Sequence, residues 1–407
     1  MTGGTLPPAK SSRKIAGLPL WGWLCIALVV VVGVVGAVVA SRDDASPATA
    51  PTTSQALSRT TLAETDTTAS DTTDSIATEP VDTIVDVTVP AGPDAAGEVA
   101  GSPVGQRGDR DRPVSAGSIA DIGGGWRLQV LGVVPDATAQ IQEANEFNDP
   151  PPAGSTFTMI NVALGYYGLE DPVSSFNPTI SAVDGSNVEL ASECGVLPDE
   201  LELFTEVFAG GVLTGNICFV TTPANVAGLQ LYARGDFFTE GEVFMEVATP
   251  ASTTPLPTLS GPQTGASSTP ARLSATPIGT AADVGEGWSV TATGAARDIT
   301  DQVMSENSFN DPPPDGFRFI GVDVTYAFNG TGTGSGFTVT TAAVGDSNVS
   351  LSDDCGVIPA AIDVFTDVFA GGSVSGSLCF VVPVGSTTIT LYSSATFGST
   401  PIMFATT

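Results

Sequence analysis

The chain has 407 residues, enough for two or three domains, and it carries a formal net charge of −31 with no histidine. This acidity argues against nucleic acid and anionic lipid as partners, because both bind through Lys and Arg. The missing histidine removes the usual general base near neutral pH and the commonest zinc ligand. Acidity is compatible with calcium, although no EF-hand-like spacing supports a calcium site. We therefore expect no cofactor.

The N-terminal region predicts a membrane anchor. Residues 1–17 hold three basic residues and no acid, and residues 18–40 carry no charge. About 20 apolar residues span a bilayer as a helix. The basic residues place the N-terminus in the cytoplasm and the rest of the chain outside the cell membrane. The alternative is a signal peptide cleaved near 38–40, which gives a secreted protein. The uncharged run exceeds the apolar part of a signal peptide, which favours a retained single-pass anchor.

Two segments have the composition of linkers. Residues 41–116 are rich in Thr, Asp, Ser, Ala and Pro, and such a segment buries too little apolar surface to fold alone. We predict a disordered stalk there. Residues 249–277 have a similar composition and predict a second, shorter linker. The remaining residues, 117–248 and 278–407, are predicted to form two domains.

The two predicted domains repeat one stretch of sequence. The segment from Cys194 to Cys218 recurs from Cys355 to Cys379, with the same separation and the same Val-Phe-Ala-Gly-Gly core. This match predicts a duplicated domain with one disulfide in each copy. Each bridge closes a loop of about 25 residues and contributes roughly 3–4 kcal/mol in the loop-entropy model. Paired cysteines indicate an oxidising compartment. The fifth cysteine, Cys25, lies in the apolar run.

Each copy contains short strand candidates separated by Gly and Pro turn signals, a pattern typical of an antiparallel β-sandwich. In the first copy, strands are predicted at 126–134, 156–167, 179–183, 188–191, 212–220, 229–233 and 243–247. In the second copy, they are predicted at 288–293, 318–328, 337–344, 349–352, 373–381, 389–392 and 402–405. We expect an all-β protein with little helix.

The sequence leaves the conformation of two equivalent segments open. Residues 197–208 and 358–369 space Leu, Ile and Phe as a short amphipathic helix would, and Pro follows the first apolar residue in each. The same residues fit an extended segment that crosses one end of the core. In either conformation, we predict a lid packed on the sandwich.

Three further motifs favour structural roles. The repeated Phe-Asn-Asp-Pro-Pro-Pro-x-Gly at 147–154 and 309–316 predicts a rigid surface loop rather than a proline-rich ligand. The glycine-rich segment 330–336 has no nearby Lys and no helix after it, so it predicts a flexible hairpin loop rather than a phosphate site. Asn329 and Asn348 begin sequons, which matter only in a glycosylating host.

The two copies share four acidic positions, which are the candidates for catalysis. They are Asp149/Asp311, Glu193/Asp354, Glu202/Asp363 and Glu206/Asp367. A carboxylate pair can hydrolyse glycosides without histidine, so a glycan hydrolase is the alternative function. However, three of these positions exchange Glu and Asp between the copies. A catalytic carboxylate placed to a fraction of an ångström would not tolerate that change in reach. We therefore predict that the protein is not an enzyme.

The proline loop before an aromatic strand, followed by spaced glycines, Cys-Phe and a later proline, resembles a family of immunoglobulin-like domains in exported actinobacterial proteins. These are similar to the mycobacterial immunoprotective extracellular antigen. The residues that carry the resemblance are Pro151, Pro152, Gly154, Phe157, Gly211, Gly215, Phe219 and Pro223, and in the second copy Pro313, Pro314, Gly316, Phe317, Gly372, Gly376, Phe380 and Pro383. The resemblance implies fold and export, but no biochemical activity.

Taken together, these patterns predict two tandem immunoglobulin-like sandwiches behind a transmembrane helix and a stalk. The expected function is that of a non-catalytic cell-envelope protein, which displays two acidic modules outside the membrane for binding or spacing. Its expected partner is a cell-wall or envelope-protein ligand.

Overall fold

The structure, a computed structural model, describes residues 97–238, 241–395 and 400–407. These residues fall in one structural unit, Ala91–Thr407. The predicted cytoplasmic tail, the membrane anchor and the stalk up to residue 96 lie outside the described residues. Within the described ranges, no helix combines the length and the apolar character that crossing a membrane requires.

The first module consists of short antiparallel strands. They are β1 (Ile119–Gly123), β2 (Trp126–Val134), β3 (Thr156–Tyr166), β4 (Val173–Ser174), β5 (Thr179–Val183), β6 (Glu206–Val207), β7 (Val212–Thr221), β8 (Gln230–Arg234) and β9 (Val243–Glu246). One sheet has the order β1-β2-β3-β7, a second has the order β5-β8-β9, and β4 pairs with β6. Leu128, Val162 and Leu231, from both sheets, share one hydrophobic core. This arrangement is a β-sandwich.

The second module repeats this arrangement. Its strands are β10 (Ala282–Gly285), β11 (Trp288–Ala292), β12 (Arg297–Asp298), β13 (Phe317–Phe328), β14 (Thr333–Ser335), β15 (Thr340–Val344), β16 (Asp367–Phe369), β17 (Ser373–Pro383), β18 (Thr390–Ser394) and β19 (Ile402–Ala405). One sheet has the order β10-β11-β13-β12 with β17 also on β13, a second has the order β15-β18-β19, and β14 pairs with β16. Val322, Leu391 and Phe404 lie in its core. The all-β sandwich prediction is confirmed.

Helices are few and short among the described residues. They are α1 (Thr138–Ala144), α2 (Thr269–Leu273) and α3 (Thr300–Glu306), with 3-10 turns at Val226–Gly228 and Gly336–Thr338. α1 and α3 occupy the same place in the two modules, and each packs beside the disulfide of its module through Ile141 and Val303. The predicted pairs Cys194–Cys218 and Cys355–Cys379 both form, with a Cα–Cα distance of 6.2 Å in each.

Some predicted elements differ from the structure. Residues 188–191 and 349–352 are not strands but turns that fold back on β5 and β15 through single bridges at Glu189 and Ser350. In place of the lid helix considered for 197–208 and 358–369, the structure has turns that end in the short strands β6 and β16. The helix is therefore not found, and only the ends of the two segments are extended; Phe208 is buried whereas Phe204 is exposed.

The predicted flexible loop at 330–336 is also more ordered than its glycines suggest. Its Thr333–Ser335 portion is β14, which pairs with β16. A Cβ on Gly334 would lie 2.8 Å from the Phe328 ring and 2.9 Å from the Trp288 ring. The glycine is therefore required by close packing rather than by flexibility.

Two segments that were assigned to linkers pack against the modules. We name residues 97–116 and 249–277 the first and second lead-in segments. Val99 and Val114 of the first are each 3 % exposed, and Leu256 and Ala266 of the second are 6 % and 2 % exposed. Val114 and Thr276 bridge to equivalent residues of the last strands, β9 and β19. The compositional argument missed this packing because each apolar residue stands alone among Pro, Ser, Thr and Asp.

The two modules meet through an interface formed by the end of β6 and the turn after β15. The Phe208 amide donates to the Asn348 carbonyl (2.8 Å), and the Ser350 amide donates to the Glu206 carbonyl (2.9 Å). The Phe208 ring is 0 % exposed and meets Tyr392 edge-on, with 5.5 Å between the ring centroids. The interface therefore combines backbone pairing with a buried aromatic side chain.

The Asn348 side chain completes this interface. Its Nδ2 lies within hydrogen-bond distance of the carbonyls of Ala209 (2.9 Å), Leu259 (2.6 Å) and Gly261 (2.7 Å). Its Oδ1 accepts from Arg272 of α2 at 2.8 Å, and this guanidinium lies 5.0 Å above the Phe208 ring. Because the side chain is fully buried, the sequon at Asn348 is not accessible for glycosylation in this fold.

The first prediction concerns this interface. We expect Phe208→Ala to lower the free energy of unfolding by about 3–5 kcal/mol, because it removes a buried ring and leaves a cavity. Phe369→Ala is the matched control, since Phe369 occupies the same position in the second module but is 69 % exposed; its effect should stay within about 0.5 kcal/mol. Urea unfolding of both variants measures the difference, and equal losses would contradict the interface.

Candidate functional site

The shared acids lie on the surface of the modules, with one exception. Asp149, Asp311, Glu193, Asp354, Glu202, Asp363 and Asp367 are exposed, and Glu206 is half-buried at the interface. Asp363 accepts hydrogen bonds from the Thr366 hydroxyl (2.6 Å) and the Phe365 amide (3.0 Å). These bonds hold the pKa of Asp363 below its ordinary value. Its role is to cap its own turn. Among the described residues, no cluster of three or more Asp, Glu, Cys or His side chains could hold a metal ion.

Glu206 differs from its equivalent, Asp367, because of the interface. Burial raises the pKa of the Glu206 carboxyl, and a hydrogen bond with Tyr392 opposes the rise. The same Tyr392 hydroxyl lies 2.8 Å from the Ser350 hydroxyl. Asp367 stays exposed because no module follows to cover it within the described chain. The raised pKa of Glu206 therefore has its cause in the contact between the modules.

The proline loops are held on the surface by an asparagine clamp. Asn148 accepts from the Val196 amide (2.9 Å) and donates to the Val196 carbonyl (2.8 Å), so its side chain pairs like a strand backbone. Asn310 makes the same two bonds to Val357, at 2.9 and 2.7 Å. In each module, the asparagine side chain fixes the proline loop against the residues that follow the first cysteine of the disulfide. Phe147, which directly precedes Asn148, stays exposed.

A pair of exposed aromatic rings is the clearest candidate site in each module. Phe176 and Phe204 stack with a centroid distance of 5.2 Å and an interplanar angle of 14°. Phe337 and Phe365 stack at 5.4 Å and 24° in the second module. The rings of Phe204 and Phe365 are 63 % and 71 % exposed. Adjacent exposed aromatic side chains are unusual on a surface and are typical of interaction sites.

The strand pair β4-β6 positions the rings of the first module. Ser175, which is fully buried, donates its hydroxyl to the Glu202 carbonyl (2.8 Å) and accepts from the Thr205 amide (3.0 Å). Its own amide donates to the Thr205 carbonyl at 2.9 Å. Phe176 directly follows Ser175, and Phe204 directly precedes Thr205. The hydrogen bonds of Ser175 therefore hold the two rings beside each other. In the second module, β14-β16 performs this function, with Ser335 paired to Asp367.

Sequence reasoning found only half of each aromatic pair. The sequence predicts a lid that contains Phe204 and Phe365 and a strand that begins at Phe337, but it indicates no role for Phe176. The available signal was their equivalence: Phe176 and Phe337 lie three residues before the edge strands β5 and β15. Without the β4-β6 pairing, however, nothing in the sequence places them beside the lid residues.

Comparisons with known proteins identify no family for this chain. No family model and no curated protein matches it. Among solved structures, it is similar to an uncharacterized β-sandwich protein from Clostridium difficile 630, with 10 % sequence identity and a TM-score of 0.21. That alignment covers 33 % of this chain and 95 % of the other. None of these comparisons supports the resemblance to the actinobacterial antigen. The chain is a disulfide-containing β-sandwich protein.

The second prediction uses Glu206 as a pH reporter. Its carboxyl binds a proton more tightly in the folded chain, so its contribution to stability falls as pH rises from the ordinary pKa to the raised one. We therefore expect the free-energy difference between wild type and Glu206→Gln to shift toward the wild type as pH is lowered through this window. Urea unfolding at several pH values measures it, with Asp367→Asn as the control for losing one charge. A pH-independent difference would refute the assignment.

Proposed function

We propose that the protein is a non-catalytic cell-envelope protein that uses its two sandwich modules to bind a partner outside the membrane. The observation that carries this proposal is the stacked phenylalanine pair that each module exposes. Exposed aromatic rings gain free energy when a partner covers them, and they dominate binding at many interfaces. Their flat faces suit apolar side chains or the apolar faces of sugar rings, so the proposed partner is a cell-wall or envelope-protein ligand.

The surroundings of the pairs support a binding role rather than catalysis. Phe204 follows Glu202 at two residues' distance, and Phe365 follows Asp363 in the same way. The Asp363 carboxylate already accepts two hydrogen bonds from its own turn. It therefore shapes the loop that presents Phe365. A glycan hydrolase requires two convergent carboxylates, and the exchange of Glu and Asp between the two copies argues against such a pair.

The contact between the modules favours a bivalent ligand. Phe208 and Asn348 join the modules directly, so the two aromatic pairs are not connected by a freely moving linker. A ligand with two sites at the matching spacing would gain affinity from the second contact without loss of tether entropy. The disulfides support exposure to an oxidising compartment. Anchoring through 18–40 remains part of the proposal.

The third prediction tests the aromatic pairs. We expect the full-length chain, solubilised in detergent, to be retained on purified cell-wall fragments or on immobilised envelope proteins. Phe204→Ser combined with Phe365→Ser should weaken retention about 30-fold or more, because each removes an exposed ring of hot-spot type.

The matched control is Phe147→Ser combined with Phe309→Ser, which removes two rings of the proline loops that are 83 % and 90 % exposed. Circular dichroism and urea unfolding verify that all variants are folded. The proposal fails if the wild-type chain is retained on neither material, or if both double variants weaken retention to the same extent.

A further inference from the structure

The interface between the modules is asymmetric, so each of its two halves exists a second time in the same chain. The first half is the docking segment of the first module, Val207-Phe208-Ala209-Gly210-Gly211, which is inserted against the second module. The same five residues recur as 368–372, which we name the free docking segment. Phe369 of this segment is 69 % exposed, whereas Phe208 is 0 % exposed. The second module therefore presents the same aromatic residue without a cover.

The backbone of the free docking segment has the form that the interface requires. In the occupied interface, a Cβ on Gly211 would collide with the Asn348 carbonyl oxygen, so the close approach needs glycine there. The free segment has Gly372 at that position. Gly210 and Gly371 adopt the same left-handed conformation, with φ of 88° and 83°. The segment is therefore already shaped for docking.

The second half of the interface is the surface that receives the docking segment. In the second module it is built from Arg272, Asn348 and Tyr392. The first module has Arg110, Asn187 and Tyr232 at the equivalent positions, which we name the open acceptor site. The equivalence is exact in chain position, because Arg110 lies four residues before Val114 and Arg272 lies four residues before Thr276, the two lead-in residues that bridge to β9 and β19.

The open acceptor site reproduces the local geometry of the occupied one. Arg110 donates to the Asn187 Oδ1 at 2.7 Å, as Arg272 does to the Asn348 Oδ1 at 2.8 Å. Asn187 and Asn348 both adopt left-handed backbone, with φ of 60° and 59°. The difference is burial: Asn187 is exposed and its neighbour Val188 is 64 % exposed, whereas Asn348 is fully buried.

The open acceptor site also contains space for a side chain. A pocket of about 360 Å³ lies there, lined by Arg110, Asn187, Glu189, Tyr232, Glu242 and Phe244. In the occupied site, the Arg272 guanidinium lies over the inserted Phe208 ring. In the open site, the Arg110 guanidinium lies 5.9 Å from Phe244 of its own module. Phe244 also packs on Tyr232, with 5.6 Å between the ring centroids, so a docked phenylalanine would share Arg110 and Tyr232 with this ring.

We propose that copies of this chain associate head to tail, with Phe369 of one copy docked in the Arg110–Asn187–Tyr232 site of the next. The occupant is a second copy because it carries the same five-residue segment that fills the equivalent site within one chain. Within the residues that the structure describes, each copy has one free docking segment and one open acceptor site. Such a heterologous contact leaves both ends available, and it produces a ring when the rotation closes and a filament when it does not.

Charge makes this contact weaker than the one within the chain. Docking brings Asp367 near Glu189, at the place where Glu206 meets Ser350 in the occupied interface. Glu242 also lines the pocket. The carboxylate of Asp367 would repel those of Glu189 and Glu242 across the contact, and dissolved salt screens this repulsion. We therefore expect higher ionic strength to favour association, and Glu189→Ser, which copies Ser350, to strengthen it.

The fourth prediction tests the docking by cross-linking. Full-length chains in detergent, with Cys25→Ser to remove the fifth cysteine, receive either Glu189→Cys or Asp367→Cys. Both positions are exposed, so the substitutions leave the cores intact, and a short bismaleimide does not react with the disulfides. We expect the mixture at about 100 μM, which would populate a contact of micromolar Kd, to give a cross-linked dimer containing one chain of each kind.

Three controls make the result decisive. In the first control, the Asp311→Cys chain takes the place of the Asp367→Cys chain. Asp311 is an exposed acid on the proline loop of the same module, and this exchange should abolish the cross-link. Adding Phe369→Ser to the Asp367→Cys chain should reduce its yield at least about tenfold, as expected for loss of a hot-spot ring. Phe365→Ser should leave the yield unchanged, which separates this contact from the proposed ligand site. Absence of the mixed dimer, or a yield insensitive to Phe369→Ser, overturns the proposal.

Sedimentation velocity of the unmodified full-length chain gives an independent measurement. The average mass should rise with protein concentration and with salt, and Glu189→Ser should shift the rise to lower concentration. A single mass across the concentration range for both proteins would also overturn head-to-tail association.

Discussion

The arrangement of the chain depends on one buried amide, the side chain of Asn348. Its NH₂ group has two hydrogens but lies within 2.6–2.9 Å of three carbonyl oxygens, so at least one hydrogen is shared. These carbonyls belong to the docking segment and to the second lead-in segment. One residue of the second module thereby holds two other parts of the chain. Each such bond contributes about 1 kcal/mol net, and leaving a buried partner unsatisfied costs more.

The duplicated sequences occupy different environments in the two modules. Phe208 and Phe369 belong to identical pentapeptides, yet only Phe208 finds a neighbouring module to cover it. Asn187 and Asn348 have the same backbone conformation and the same arginine contact, yet only Asn348 is buried. A repeat predicts equal local structure because local structure follows from local sequence. Burial depends on the neighbour, and among the described residues only Phe208 and Asn348 have a neighbouring module that covers them.

The sequence predicted the features that depend on local periodicity. The cysteine spacing gave both disulfides, and the turn signals gave the long strands β2, β3, β13 and β17 within a few residues. It did not predict the lead-in segments, because Val99 and Val114 are isolated apolar residues whose burial requires a distant surface. The aromatic pairs were missed for a related reason: Phe176 and Phe204 meet only through the pairing of two-residue strands, which no periodicity reveals.

The two interface types also differ in how strongly the chain itself promotes them. Within one molecule, the second lead-in segment joins the modules, so the docking segment experiences an effective concentration in about the millimolar range. A contact between molecules lacks this advantage and adds the repulsion of Asp367 and Glu189. Intrachain docking therefore forms first and leaves the free docking segment exposed. The occupied acceptor site has Ser350 where the open acceptor site has Glu189. This one difference distinguishes a permanent contact from one that depends on concentration and salt.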